Sequence, residues 1–171
     1  MKPRFTLIVA MIFGAAALRL APHPANFDAI GALALFGGAH LGDRRWAFLI
    51  PLAALFLSDV VIGFHAQMPL VYGVFALMVC MGFALRERRT PLPVAGMAAA
   101  ASILFFVVTN FGVWAFDGLY PMTFQGLVTC YVAAIPFFAN TLAGNLFYSA
   151  VLFGGFALAE RKLPIFAPAR S

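Results

Sequence analysis

Cys80 follows Tyr72 and Ala76 at successive intervals of four residues, and Gly73 lies seven residues before it. On a helix that spacing gathers all four on roughly one face. Small Gly73 and Ala76 would leave room beside the sulfur. Two readings of this face stand side by side. A free cysteine among glycine and alanine is a packing residue in a close helix contact. Alternatively it is a soft ligand for a transition metal at the bottom of a pocket, where the metal itself stabilises the thiolate. Counted from residue 69, Cys80 lies about 11 residues, roughly 16 Å, into its apolar segment, which is near the middle of a bilayer.

Further polar groups fall in apolar runs at helical spacing. Asn110 and Trp114 share one face, and Thr141, Asn145 and Tyr148 share another. Amides are costly in hydrocarbon unless they face protein or water, so both faces should point inward, either bonding a neighbouring helix or lining a cavity. Asp59, four residues before Gly63, is either solvated at a helix end or turned into a pocket. His23, His40 and His65 have no metal-ligand spacing. Ser58, Asp59 and His65 crowd one helix end without a nucleophile elbow, so a hydrolytic triad is hard to build. Cys80 and Cys130 should differ in depth, which argues against a disulfide between them.

The elements that must position these groups are apolar helices. The chain of 171 residues is 64% hydrophobic and only 10% charged, with mean hydropathy +0.97. That leaves too little polar surface for a water-soluble globule. The net charge of +5 would suggest nucleic acid in a soluble chain, but here it is gathered in loops. Ten of the 11 Lys and Arg residues form four clusters: Lys2/Arg4, Arg44/Arg45, Arg86/Arg88/Arg89 and Arg161/Lys162/Arg170. Cationic loops stay cytoplasmic, and only Arg19 falls on the other side. We therefore expect an all-α integral membrane protein of the cytoplasmic (inner) membrane. It should be one transmembrane domain over residues 1–171, surrounded by lipid, with no nucleic-acid partner.

The expected spans are 5–21, 28–42, 46–63, 69–86, 93–116 and 137–159. Six crossings put both termini in the cytoplasm. The second span is short and glycine-rich, so it should pack against neighbours along its length. The first imitates a signal peptide, but Arg19 stands where a cleavage region should be small and neutral, so it is expected to remain as a span. The outer connections are 22–27, 64–68 and 117–136. The last carries Asp117, Gly118, Tyr120, Thr123 and Gln125. It is expected to form an interfacial or re-entrant cap, a movable lid over a cavity.

Several segments together resemble the BtuM group: the sequence from Pro22 to Gly31 leading into the second span, Leu57 to Gly63, Thr109 to Trp114, and the single mid-membrane Cys80. These look like the solitary kind of substrate-binding S-component of energy-coupling-factor vitamin transporters, and the resemblance covers essentially the whole chain. It implies an S-component-like bundle that is a transporter and not an enzyme. The implied substrate is vitamin B12 or a related corrinoid, cobalamin or cobinamide. Cys80 would be the axial cobalt ligand, and its thiolate would also loosen an upper ligand such as cyanide. Tyr72, Trp114, Tyr120 and Tyr131 would wall the macrocycle, with Ala76, Asn110 and Asn145 completing the pocket. An energising module would dock on small residues of the first span, where Ala10 and Gly14 are a near match to the expected small-xxx-small face. A membrane scaffold without ligand and an intramembrane enzyme using Asp59, Asn110 or the histidines are the competing classes.

Overall fold

The computed structural model describes residues 3–166, and those residues contain helices and no strand. Its centre is a short helix, α2 (Ile30–His40), in which all eleven residues are buried. Eleven residues rise only about 16 Å, roughly half the hydrocarbon thickness of a bilayer. Apolar on every side, α2 is wrapped by the other helices, as its glycines led us to expect. Gly38 and Gly82 meet backbone to backbone: a Cβ on Gly38 would strike the Val79 carbonyl, and one on Gly82 would lie 2.5 Å from the Leu35 carbonyl oxygen.

Both ends of α2 are tied by charge of the appropriate sign. At its start the Ile30 N–H donates to Asp28 Oδ1 at 3.0 Å. At its finish Arg86 donates from Nε to the Gly38 carbonyl at 3.1 Å and from Nη2 to the Leu41 carbonyl at 2.8 Å. Backbone groups in an apolar interior must find partners within the protein. An anion at the N-terminus and a cation at the C-terminus also oppose the helix dipole.

Around α2 stand α1 (Pro3–Ala17, prolonged by a 3₁₀ turn at Leu18–Leu20), α3 (Arg44–Ile62), α4 (Met68–Phe83) and α5 (Pro91–Phe116). The last wall is α6 (Phe124–Ser149), which runs through a π turn (Ala150–Gly154) into α7 (Gly155–Lys162). Ile8 and Ile12 of α1, Leu55 of α3, Phe75 and Val79 of α4, Ala98 of α5 and Phe156 of α7 close on α2 to make one core. Four helical stretches are long and apolar enough to cross a membrane: Pro3–Leu20, Arg44–Ile62, Pro91–Phe116 and Phe124–Lys162. The helices α2 and α4 are shorter.

The expected cap over 117–136 is corrected by the structure. Only 117–123 is a connection, and from Phe124 the chain is already helical. Thr123 caps that helix, its Oγ1 accepting from Gly126 N–H at 3.1 Å. Polar Thr123 and Gln125, with Pro136 inside the helix, made this first part look like a loop. The proline sits on an exposed surface, where the missing backbone bond is tolerated more cheaply than in a packed interface.

The basic clusters converge on one end of the bundle. Arg4 bonds Glu160 at 2.9 Å and lies over the Phe156 ring, while Arg44 and Arg86 both stand over Phe83. At the opposite end Arg19 pairs with Asp59 at 2.8 Å.

Candidate binding cavity at the end opposite the basic clusters

Because α2 occupies only half the depth of the bundle, the segment 21–29 that precedes it descends into the interior and leaves space beside it. Gly144 of α6 makes that descent feasible. A Cβ there would lie 3.0 Å from both Asp28 N and Asp28 O. Asn140 Nδ2 donates to the Ala25 carbonyl at 2.9 Å, and Phe27 packs on the rings of Phe147 and Tyr148. Asn26 takes the left-handed conformation, φ 62°, which asparagine tolerates better than most residues.

Two adjoining spaces result. A chamber of about 30 Å³ lies directly against the start of α2, bounded by Asp28, Gly31, Met78 and Asn145. A larger cavity of about 270 Å³ opens beyond it toward the end opposite the basic clusters, among His65, Gln67, Val71, Asn110 and Phe138. Asn26, Phe105 and Thr141 border both. At the floor, buried Asn145 donates from Nδ2 to Ser102 Oγ at 2.8 Å, and Ser102 passes its own proton to the Ala98 carbonyl at 2.9 Å. Gly31 leaves room for the Asn145 amide, which a Cβ there would push aside.

The polar groups around the larger cavity share a pattern. Thr109 Oγ1 donates to the Phe105 carbonyl at 2.7 Å, Asn110 Nδ2 to the Phe106 carbonyl at 2.8 Å, and Thr141 Oγ1 to the Phe137 carbonyl at 3.0 Å. Each spends a proton on its own helix and keeps oxygen lone pairs free. Set among Phe105, Phe106, Phe137 and Phe138, these oxygens suit a mainly apolar molecule that carries hydrogen-bond donors. Across the mouth Gln67 Nε2 donates to Asp117 Oδ1, tying the start of α4 to the end of α5. Among the described residues no three His, Cys, Asp or Glu side chains cluster closely enough to hold a metal ion.

The sequence-predicted residues divide. Asn110 and Asn145 border the two spaces, and Thr141 joins them. Tyr72 turns instead to α3, where its hydroxyl donates to Asp59 Oδ2 at 2.8 Å. Trp114 donates from Nε1 to the Pro121 carbonyl at 3.0 Å and so fastens the 117–123 connection. Tyr120 is half-buried within that connection, and Ala76 is half-buried on α4.

Cys80 is exposed, and neither space reaches it. It lies three residues before the end of α4 at the basic end, on a strip with Gly73 and Leu77, whereas α4 buries Val74, Phe75, Met78, Val79 and Gly82 against the bundle. Eight residues rotate a helix about 80° beyond two full turns, enough to carry Cys80 off the face of Tyr72. In this structure the sulfur thus lies on the outer flank of α4 and lines neither of the two spaces. Cys130 is buried in α6, its thiol donating to the Asn110 carbonyl at 3.4 Å.

Asp59 is neither solvated nor in the cavity. Its carboxylate receives Arg19 and Tyr72, and Arg19 also reaches Ser58. Sequence reasoning missed Asn26, Asp28 and Gln67 as cavity residues, and it weighed His65 only as a metal ligand or part of a triad, not as a cavity residue. The available signal was Asn26 and Asp28 just ahead of a helix too short to cross a membrane.

The chain matches, over residues 1–166, the family described as "Family of unknown function (DUF6580)", and it belongs to that family. No curated protein and no solved structure matches it.

Proposed function

We propose that this member of the DUF6580 family is a multi-pass protein of the cytoplasmic membrane that captures a small molecule from the outer side for uptake. The basic end faces the cytoplasm under the positive-inside rule. Segment 21–29 and α2 then act together as one crossing, giving six in all with both termini inside. The observation that carries the reading is the cavity above a half-length helix. Broken helices that end near the bilayer midplane, with polar groups turned into a cavity, are a recurring way to build a transporter's substrate site. A scaffold has no use for such a cavity. An intramembrane enzyme is the competing reading: the two spaces hold one carboxyl, Asp28, and one imidazole, His65, beside their amides, hydroxyls and phenyl rings, and turnover of a bound solute would favour it over capture.

The substrate we propose first is a corrinoid, cobalamin or cobinamide, from the sequence resemblance set out above. Pockets for drug-sized ligands run from about 300 to 1,000 Å³, and a corrin ring with its axial ligands belongs at or above the top of that range. A cavity of about 270 Å³ would have to widen by parting segment 21–29, which brings Asn26, from the α3–α4 connection, which brings His65 and Gln67. Cobalt ligation by Cys80 requires a ligand reaching the flank of α4, and a corrinoid held only in the cavity would not touch that sulfur. An energising module would dock on the Ala10/Gly14 face of α1.

Titration of the purified protein with cyanocobalamin and cobinamide, read by visible absorption and calorimetry, separates these elements. Asn110→Leu and Thr141→Val should weaken binding about tenfold each if the cavity holds the substrate, since each leaves a polar group of the ligand unpaired. Cys80→Ser should leave affinity and spectrum unchanged for a cavity-bound ligand. Loss of a thiolate-type spectrum in Cys80→Ser, with both cavity variants unaffected, would move the site to α4. If neither corrinoid binds, that substrate fails, and a panel of smaller donor-bearing solutes then tests capture itself.

A further inference from the structure

A second cavity lies at the basic end of the molecule, between the start of α5 and the α6–α7 helix, with a volume of about 480 Å³. Its walls are mainly apolar, with Val94 and Phe153 buried and Leu146 toward the surface; the buried Ser149 hydroxyl, without a hydrogen-bond partner among the described residues, is the one polar group among them, and small residues at Ala95, Ala150 and Ala157 keep the walls low. Two arginines, Arg89 and Arg161, stand on it, both exposed. Among the described residues neither has a carboxylate within salt-bridge distance, the nearby Glu160 being bonded to Arg4. Partial burial, with the positive charges of Arg4 and Arg86 beside it, lowers the pKa of Arg89 from its usual value, and Glu160 opposes the shift. Such a cation gains from an added anion.

The dimensions point to the occupant. From Leu146 to Arg161 the helix rises about 22 Å, close to the depth of one leaflet with its headgroup layer. An apolar slot of that length, cationic only at the membrane surface, complements an acyl chain that ends in a phosphate.

We propose that this crevice is a binding site for an anionic phospholipid, with one acyl chain lying along α5 and the π turn and the headgroup phosphate held by Arg89 and Arg161. Basic pockets between helices on the cytoplasmic side are suited to anionic headgroups. The site is separate from the capture cavity, and the proposal stands whatever that cavity binds.

Native mass spectrometry of the detergent-purified protein, titrated with dioleoyl phosphatidylglycerol or dioleoyl phosphatidylcholine, tests it. The expected result is preferential retention of phosphatidylglycerol. The combined Arg89→Gln and Arg161→Gln variant should lower that affinity on the order of twentyfold, from the attraction of each arginine to an anionic lipid. Ala95→Phe should obstruct the slot and reduce retention of the lipid while sparing both cations. Excess glycerol 3-phosphate should not displace the lipid; displacement would assign the arginines to a soluble phosphate and overturn the proposal. Equal retention of the two lipids, or retention unchanged in both variants, would overturn it as well. So would a stable dimer that excludes lipid, which would make a second copy of the chain the occupant.

Discussion

Arg19 and Asp59 show how much rests on single side chains here. Their side chains keep only 13% and 6% of their accessible surface, so removing one partner leaves the other charge stranded away from water. Arg19→Ala or Asp59→Ala should each destabilise the protein by about 3–5 kcal/mol. The double replacement should cost less than the sum, and thermal unfolding in detergent would measure the cycle. Strict additivity would mean that the pair contributes nothing of its own. Tyr72→Phe should cost only about 1 kcal/mol, one hydrogen bond to a carboxylate that keeps its cation. At this scale the sequence was partly legible. The inward turn of Asn110 and Asn145 followed from the cost of an amide in hydrocarbon. The partner of Asp59 did not, because it lies 40 residues away on another helix. Cys80 could not be placed either, because α4 is apolar on both its buried and its exposed sides, and spacing alone does not say which side meets the bundle.

Among the elements, α2 is where packing is least forgiving. Gly82→Ala must push the Leu35 carbonyl aside, and overpacking of this kind costs about 1–3 kcal/mol. Gly73→Ala, on the same helix with nothing within 4 Å of the new carbon, should leave the melting temperature unchanged or slightly raised, as an alanine favours the helix. Equal effects of the two changes would refute the close α2–α4 contact. That α2 would be short and enclosed was readable from its glycines. Its true start at Ile30 was not, since Phe27 and Ala29 carry the apolar run past it and only Asp28, capping the Ile30 N–H, ends it. The length of α6 was misjudged for the converse reason: proline and polar residues that usually interrupt a helix are carried here on its outer surface.

For the whole molecule, the arrangement of charge predicts orientation. A cysteine introduced at Gly118 in a background lacking Cys80 and Cys130 should react with a membrane-impermeant maleimide from outside. One at Glu87 should react only after the membrane is opened. The reverse pattern would invert the molecule and move the cavity to the cytoplasm. If the cavity gates at its mouth, where Gln67 holds Asp117, amide exchange in 117–123 should slow on ligand binding, while Phe124 onward, already helical, should change little. The double tether of α2 also bears on how the chain is made. Its eleven residues are too few to be accepted as a span on their own, and the cation that satisfies its last carbonyls arrives 45 residues after Leu41. During synthesis α2 should therefore stay half inserted until Arg86, three residues past the end of α4, has left the ribosome. Nascent chains halted with Arg86 still inside the ribosome should leave α2 open to proteolysis, and chains long enough for Arg86 to have emerged should protect it, so that maturation of the centre is timed by the turn that follows its neighbour.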